Sequence, residues 1–332
     1  MPLINRCGGG GGTPQLCGQV ENFKVVSLGN NSLKLTWTAP SPDEDNSFVG
    51  ARIVRKTGSA PTGISDGTVV YEGTALTYTD TGLTAGTTYY YRAFAYNART
   101  KYQTELRAVS MAATNLKPNF ADNTWDAIVD ACHNNTVLNS WLVADSKTIT
   151  IDSVSYQFDI VGKNHDTYTA GGIAPLTFGI HNSYNTKARM DGPTNHTAWD
   201  SSYMRQKTLP GILSKMPEVI KNGIRAVNKP AANSSDDSTI ITTSDELFLL
   251  SEAEVIGSKG FANAIEGKQY DYYKAGNSKI KTLNGEKEWW WLRSPANESY
   301  GRGHFCYINS DGSPGTFGAN YEAAGIAFAF CF

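Results

Sequence analysis

Residues 289–332 read WWWLRSPANESYGRGHFCYINSDGSPGTFGANYEAAGIAFAFCF: an aromatic block, a polar middle and an apolar end. The first block, Trp289 to Pro295, closes on a proline. The last, Gly325 to Phe332, alternates Ile326, Phe328, Phe330 and Phe332 with Ala327, Ala329 and Cys331. A period of two with the large residues on one side predicts a half-buried strand. Between the blocks, Ala296 to Ala324 is rich in Gly, Ser, Asn, Tyr and Ala. That composition does not build a core. It suits a contact surface, where Tyr supplies area at low entropic cost and Ser, Gly and Asn supply adaptable hydrogen bonds.

What the segment lacks is equally informative. From Ala296 onward there is no Lys, Gln, Met or Trp, and Glu occurs only at Glu298 and Glu322. An Asn codon AAC or AAT whose adenines are replaced keeps a pyrimidine as its third base. Such codons never encode Lys, Gln, Glu, Met or Trp. Apart from the two glutamates, the segment obeys this rule.

The residues WWLRSP at Trp290–Pro295, HFCYINSDGS at His304–Ser313 and GIAFAFC at Gly325–Cys331 occur in the order found in another group. They resemble the variable region of diversity-generating retroelement target proteins, at the C-terminus of a C-type-lectin-like domain. The resemblance implies that adenines in the 3′ end of the gene are rewritten and that a lectin-like scaffold displays the changed side chains. Glu298 and Glu322 depart from the pattern, as fixed framework or as products of a different template codon. The displayed positions expected on this basis are Tyr300, Arg302, His304, Tyr307, Asn309, Asp311, Ser313, Thr316, Phe317, Asn320 and Tyr321. Trp290, Leu292, Ile308, Ile326, Phe328 and Phe330 are expected to hold the scaffold. Of the tryptophan triplet, Trp289 and Trp291 would share one side of a strand, as core or as a sugar-stacking platform. Asp311-Gly312 is first of all a turn signal.

A chain of 332 residues has room for two domains with cores of their own. Charged residues make up 18% and the net charge is −2, which gives no electrostatic reason to expect nucleic acid or an acidic membrane as partner. No apolar run approaches a membrane span, and the N-terminus, MPLINRCGGGGGTPQLCG, has no apolar signal core. Five cysteines do not make a disulfide framework. Cys7 and Cys17 flank the glycine run, as a pair or as free thiols; Cys306 and Cys331 are expected as small buried residues.

The expected organisation is a Gly-rich leader at 1–18, an all-β domain at 19–115 and an α+β domain at 116–332, with the variable region at about 296–324. In the all-β part Leu33, Leu35 and Trp37 alternate, Ile53 and Val54 mark the next strand, and Tyr89, Tyr91, Ala93 and Ala95 face one way. Turn clusters at Pro40–Asn46 and Gly58–Gly67 separate strands. Leu83, Gly86 and Tyr89 have the spacing of a tyrosine corner. With Trp37 this resembles a fibronectin type III sandwich, which identifies a fold and not a task. After a linker at Asn115–Asp122, a helix is predicted from near Asn123, with Trp125, Ile128, Val129 and Cys132 on one face. Strands follow at Lys147–Ile151, Tyr156–Val161 and Leu176–Ile180. A second helix is predicted over Leu209–Val227, with Pro210 in its first turn and a break at Pro217. Leu247–Leu250 reads as a short buried segment, and Ser251 with Glu254 as a capping box. A terminal hairpin completes the domain. DIVGKNHD at Asp159–Asp166 and LFLLSEAEVIG at Leu247–Gly257 are similar to a domain family of unknown function from phage and gut-bacterial proteins that also ends in WWLRSP.

The chemistry candidates are isolated. His165–Asp166, His181, His196 and Cys132–His133 lack metal-ligand spacing. His165 and Asp166 are expected to tie a strand end to a loop. No nucleophile elbow or phosphate loop is present, and GGGGG at 8–12 has no strand before it. Expected, then, is a binding protein rather than an enzyme, with no cofactor or metal. The resemblance implies a phage-tail receptor-binding protein in the virion, meeting a protein or glycan receptor on a cell surface and other tail proteins; a homotrimer is expected only from how tail fibres are usually built, since the sequence does not encode the oligomeric state legibly. Its rivals are a bacterial surface or secreted binding protein, or a glycan-processing enzyme using Asp159, Asp166 and Asp191.

Overall fold

The computed structural model describes residues 18–29, 31–40, 48–98, 102, 109–191, 198–320 and 324–332. The leader, Cys7, Cys17, most of the Pro40–Asn46 turn, His196, Tyr321 and Glu322 lie outside the described residues. The chain forms two compact units, Met1–Pro118 and Asn119–Phe332.

In the first unit the described residues form seven strands: β1 (Glu21–Gly29), β2 (Ser32–Thr38), β3 (Phe48–Thr57), β4 (Thr68–Gly73), β5 (Thr77–Asp80), β6 (Thr88–Asn97) and β7 (Val109–Thr114). They pair antiparallel as two sheets, β1-β2-β5 and β4-β3-β6-β7. Leu33, Leu35 and Trp37 from one sheet and Ile53, Tyr91, Ala93 and Ala95 from the other are buried in a common core. Alternation along each strand puts these side chains on the inner faces of a sandwich. Inside it, Arg55 and the Tyr91 hydroxyl both donate to Asp80, at 2.8 Å each. The tyrosine corner is present: Tyr89 Oη accepts from the Thr84 amide at 2.9 Å. Tyr89→Phe removes that acceptor and should cost this unit about 1 kcal/mol. Native-state hydrogen exchange at the Leu35 and Ile53 amides reads it out; unchanged protection would mean that water replaces the bond at no cost.

The second unit begins earlier than a free linker would allow. Phe120 is fully buried, with its ring 5.4 Å from Trp141 and 6.0 Å from Phe178. The first helix, α1 (Trp125–His133), starts at Trp125 because Thr124 caps it, its hydroxyl accepting from the Ala127 amide at 3.2 Å. Asn123 instead closes the preceding turn, donating to the Asn119 and Phe120 carbonyls. Strands β8 (Ser146–Ile151), β9 (Val154–Lys163) and β10 (Leu176–Ile180) follow.

The predicted helix at Leu209–Val227 is several pieces. A π-helical turn at Met204–Thr208 runs into α2 (Leu209–Leu213), Pro217 breaks the chain, and α3 (Glu218–Gly223) follows. Pro210 lies in the first turn of α2, as expected, with the π-helical turn leading directly into it. It has no N–H for an i−4 bond, and its ring crowds the Gln206 carbonyl, so the turn before it widens; the Leu209 amide bonds to Met204 O. Val227 is not helical: it opens β11 (Val227–Ala232), which pairs with β12 (Ile240–Asp245).

The chain then runs through β13 (Phe248–Leu249), α4 (Glu252–Ile256), α5 (Asp271–Lys274), β14 (Lys281–Leu283), β15 (Glu286–Glu288), β16 (Trp290–Pro295), β17 (His304–Ile308), β18 (Pro314–Gly318) and β19 (Phe328–Cys331). The expected capping box at Ser251 and Glu254 is present in full. The last strand differs from expectation in two ways. It forms no terminal hairpin with the preceding strands; it lies inside the five-stranded sheet β13-β19-β10-β9-β8. It is also buried on both faces. One face is an aromatic seam in which Phe330 lies 5.4 Å from both Phe158 and Phe178, and Phe332 lies 5.8 Å from Trp125 on α1. The other face carries Ala329 and Cys331, small enough for polar groups to approach. Among the described residues no helix is long and apolar enough to cross a membrane.

Candidate functional site

Two arrangements in the second unit use the chemistry-bearing residues. One is a buried ionic network, the other a surface formed by β17, β18 and the turn before β17, backed by β16.

The network centres on Lys229, Glu254 and Arg293. Lys229 Nζ donates to Asp166 at 2.8 Å, Glu254 at 2.7 Å and Tyr270 Oη at 3.1 Å, which uses all three of its protons. Arg293 donates to both oxygens of Glu254, at 2.5 and 2.9 Å, and to the carbonyls of Leu249, Pro230 and Glu266, which uses all five of its own. Asp166 also accepts from Thr177 at 2.6 Å and Tyr270 at 2.7 Å. Burial pushes the Asp166 carboxyl up, but the Lys229 ammonium and the hydrogen bonds outweigh it and hold the group down at about 2. Burial likewise opposes ionisation of Glu254, and Arg293 and Lys229 reverse that, lowering it. Glu266 is the exception: burial raises its carboxyl to about 7, despite Arg293, the Ala232 amide and Ser294.

Ligand atoms of His165, Asp166 and Glu254 lie within 4.8 Å of one another, the geometry of a possible metal trio. The Lys229 ammonium already bridges Asp166 and Glu254 there, and their oxygens are filled by donors. The trio is a lysine site, and its role is structural. Asp166 ties the stretch after β9 to β10 and β11 as expected, whereas His165 contributes a ring stack on Tyr270 at 3.9 Å. His181 pairs with Asp159 at 2.6 Å, and His133 meets the Gly223 carbonyl at 2.7 Å. Asp191 accepts from the Tyr203 amide at 3.0 Å. Cys132, Cys306 and Cys331 are free and buried, and burial raises all three thiols.

The surface rests on that interior. All six residues of β16 are buried, and β17 pairs with β16 on one side and β18 on the other. Phe305, Cys306 and Ile308 are fully buried, with Trp290, Trp291, Leu292, Ile326, Phe328 and Phe330. Tyr300, Arg302, Asp311, Ser313, Phe317 and Asn320 are exposed; His304, Tyr307, Asn309 and Thr316 are half-buried. Tyr307 lies across its cross-strand partner Gly315, where a Cβ would stand 2.6 Å from the ring. His304 covers Gly301 in the same way, at 2.7 Å. Asp311 accepts from the Ser313 amide at 2.9 Å and its hydroxyl at 2.5 Å, so these two shape the turn.

The turn at Asn297–Arg302 is held by the Asn297 side chain, which accepts from the Ser299 amide at 3.0 Å and donates to Asn263 at 2.8 Å, and by backbone bonds. Asn297 N donates to Phe261 O at 2.8 Å, Glu298 N to Ser235 O at 2.9 Å, and Ala296 N to His304 O at 2.9 Å. Side chains there change without touching these backbone bonds. The sequence reading missed two neighbours from distant loops: Phe261, edge-on to Tyr300 at 5.0 Å, and Asp236, which pairs with Arg302. It also missed Lys229, Glu266 and Arg293, for which an arginine inside an apolar block was the one available signal.

Family comparison agrees with this division. A fibronectin type III profile matches residues 18–111, and the first unit is a fibronectin type III domain. The profile of a domain of unknown function, DUF6273, matches residues 133–332, more than half of the chain, and the chain belongs to that family. Solved structures similar to part of the chain include domains d3-d4 of the rat CD45 extracellular region, at 19% identity over 30% of this chain and 49% of that one, with a TM-score of 0.24. The sixth fibronectin type III domain of human fibronectin type III domain containing protein 3 is 20% identical over 33% of this chain and 92% of its own, with a TM-score of 0.24. A computationally redesigned β-sandwich protein is 26% identical over 30% of this chain and 95% of its own, with a TM-score of 0.23. The chain spans about half the length of the CD45 fragment. No curated protein matches the chain.

Proposed function

We infer that the second unit is a ligand-binding domain of the C-type-lectin-like, retroelement-diversified kind, and that it works by binding and not by catalysis. One observation carries the reading. Along residues 296–320, side chains expected to vary are exposed or half-buried, while Phe305, Cys306 and Ile308 between them are fully buried. A fixed frame of this kind lets surface residues change at little cost to folding. Large tyrosine and phenylalanine side chains with Asn, Ser and Thr around them suit recognition of another molecule. The fibronectin type III unit serves as spacer or docking module. In this reading the protein is a phage-tail adhesin for host recognition, displayed in several copies for avidity.

Alanine at Tyr300 or Asn320 is expected to shift stability by under ~0.5 kcal/mol each in urea unfolding. Larger losses would mark these positions as framework. The direct test is deep sequencing of the 3′ end of the gene in a growing population, beside any near-copy in the same genome. Substitutions confined to adenine positions of the copy, within codons 296–324, support the reading. A uniform sequence with no near-copy removes diversification and leaves a fixed binding domain.

A further inference from the structure

The Asn297–Arg302 turn rests on three supports. After β11, the Ser235 carbonyl accepts from the Glu298 amide at 2.9 Å, and Asp236 pairs with Arg302. In the 258–267 loop, the Phe261 carbonyl accepts from the Asn297 amide at 2.8 Å, and the Asn263 side chain accepts from the Asn297 side chain at 2.8 Å. At the end of β16, the Pro295 carbonyl accepts from the Asn263 amide at 2.9 Å. One carboxyl group joins all three at their roots. Glu266 belongs to the loop. One of its oxygens accepts from the amide of Ala232, the last residue of β11, at 2.8 Å, and the other from the Ser294 hydroxyl on β16 at 2.5 Å.

Glu266 is fully buried, and the cations near it are engaged with other carboxylates. Arg293 on β16 holds both oxygens of Glu254 on α4, and its hydrogen bond to Glu266 goes to the backbone carbonyl, at 3.3 Å. Lys229 on β11 lies between Asp166 and Glu254. These two cations balance two carboxylates, Asp166 and Glu254. Glu252, also on α4, accepts from the amides of Gly260, Phe261 and Ala262 at 2.9, 3.0 and 2.8 Å. On β17, burial raises the Cys306 thiol, so it brings no charge. Ionised Glu266 therefore adds a further negative charge to a set that is already balanced. Burial above all raises its carboxyl to about 7.

We propose that Glu266 is a proton latch for the Asn297–Arg302 turn. Protonated, it locks the three supports together; ionised, it puts an unbalanced charge at their junction, and the turn opens more often. The latch acts on the turn whether or not the residues there are diversified. An opening that frees the supports exposes Glu266 to water and returns it toward the ordinary 4.5. The closed turn therefore holds the proton more tightly than the open one. Its extra stability is complete below pH 4.5 and is lost as pH rises through 7. Opening becomes about tenfold more frequent between about pH 6 and about pH 8.

The test is hydrogen exchange on the full chain at those two pH values, corrected for the intrinsic rate. Protection of the Asn263, Asn297 and Glu298 amides is expected to fall about tenfold at the higher pH. Glu266→Gln cannot ionise and is expected to remove most of that fall. Protection unchanged at the turn overturns the latch; if the amides of β9 and β10 lose theirs, Glu266 acts only on the second unit as a whole. A fall at the turn that Glu266→Gln leaves in place overturns the latch too. If the variant does not fold, carbon-13 NMR of the Glu266 carboxyl in the wild-type chain replaces it. A midpoint of about 7, shared with the loss of protection at the turn, is expected. A midpoint close to the ordinary 4.5, or one that the turn does not follow, overturns the latch.

Discussion

Arg293→Met should destabilise the second unit by about 3–5 kcal/mol, a large share of the stability of a domain of this size. Methionine approximates the arginine stem and removes only the guanidinium. Glu254 then keeps Lys229, at 2.7 Å, and the Ser251 amide, at 3.0 Å, but loses its bidentate partner. The buried group of Asp166, Glu254 and Lys229 is left with one negative charge in excess. The carbonyls of Leu249, Pro230 and Glu266 lose their arginine donor as well. Each unmet buried group adds to the cost. Urea unfolding followed by tryptophan fluorescence measures the effect, because six of the seven tryptophans lie in this unit and only Trp37 in the other. A loss under about 1 kcal/mol would mean that water reaches the network and that its buried description is incorrect. The double variant with Glu254→Gln should recover part of the loss, since the charge that lacked a partner is gone.

Stability of the second unit should fall by about 2 kcal/mol between pH 5 and pH 7.5, through Glu266. Burial above all raises this carboxyl from 4.5 to about 7. The folded chain therefore holds the proton more tightly than the unfolded chain. Its stabilisation is complete below pH 4.5 and is lost as pH rises through 7. Asp166 acts in the opposite sense at lower pH. Its carboxyl is lowered from 3.8 to about 2, so its contribution is present above 3.8 and is lost as pH falls through 2. Lys281, lowered to about 8 chiefly by burial, acts above the window measured. Glu266→Gln preserves an acceptor for the Ala232 amide and cannot ionise, so it should flatten the slope between pH 5 and 7.5. A wild-type slope that the substitution leaves unchanged would place the titrating group elsewhere.

The sandwich was legible because its signals are local. Leu33, Leu35 and Trp37 alternate, and Leu83, Gly86 and Tyr89 lie within seven residues. The capping box at Ser251 and the strand at Leu176–Ile180 were readable for the same reason. Where the reading failed, a distant residue had intervened. The Gly325–Phe332 alternation indicated a strand with one buried face, yet the second face is buried too, because residues from the far side of the domain cover Ala329 and Cys331. The predicted helix ended on Val227, but pairing with β12 claimed that residue. The π-helical turn that leads into Pro210 left no signal of its own in the sequence.

The sequence by itself determined the two-part organisation and the identity of the buried frame in the last block. Period-two alternation and composition record burial one residue at a time. Only the tertiary structure decided which charges meet. Asp166, Lys229, Glu254, Glu266 and Arg293 come from five separate segments, and nothing in their sequence spacing makes them neighbours. It also decided that Phe261 and Asp236 border the Asn297–Arg302 turn, since pairing across long loops is settled by how the elements pack and leaves no periodic trace in the chain.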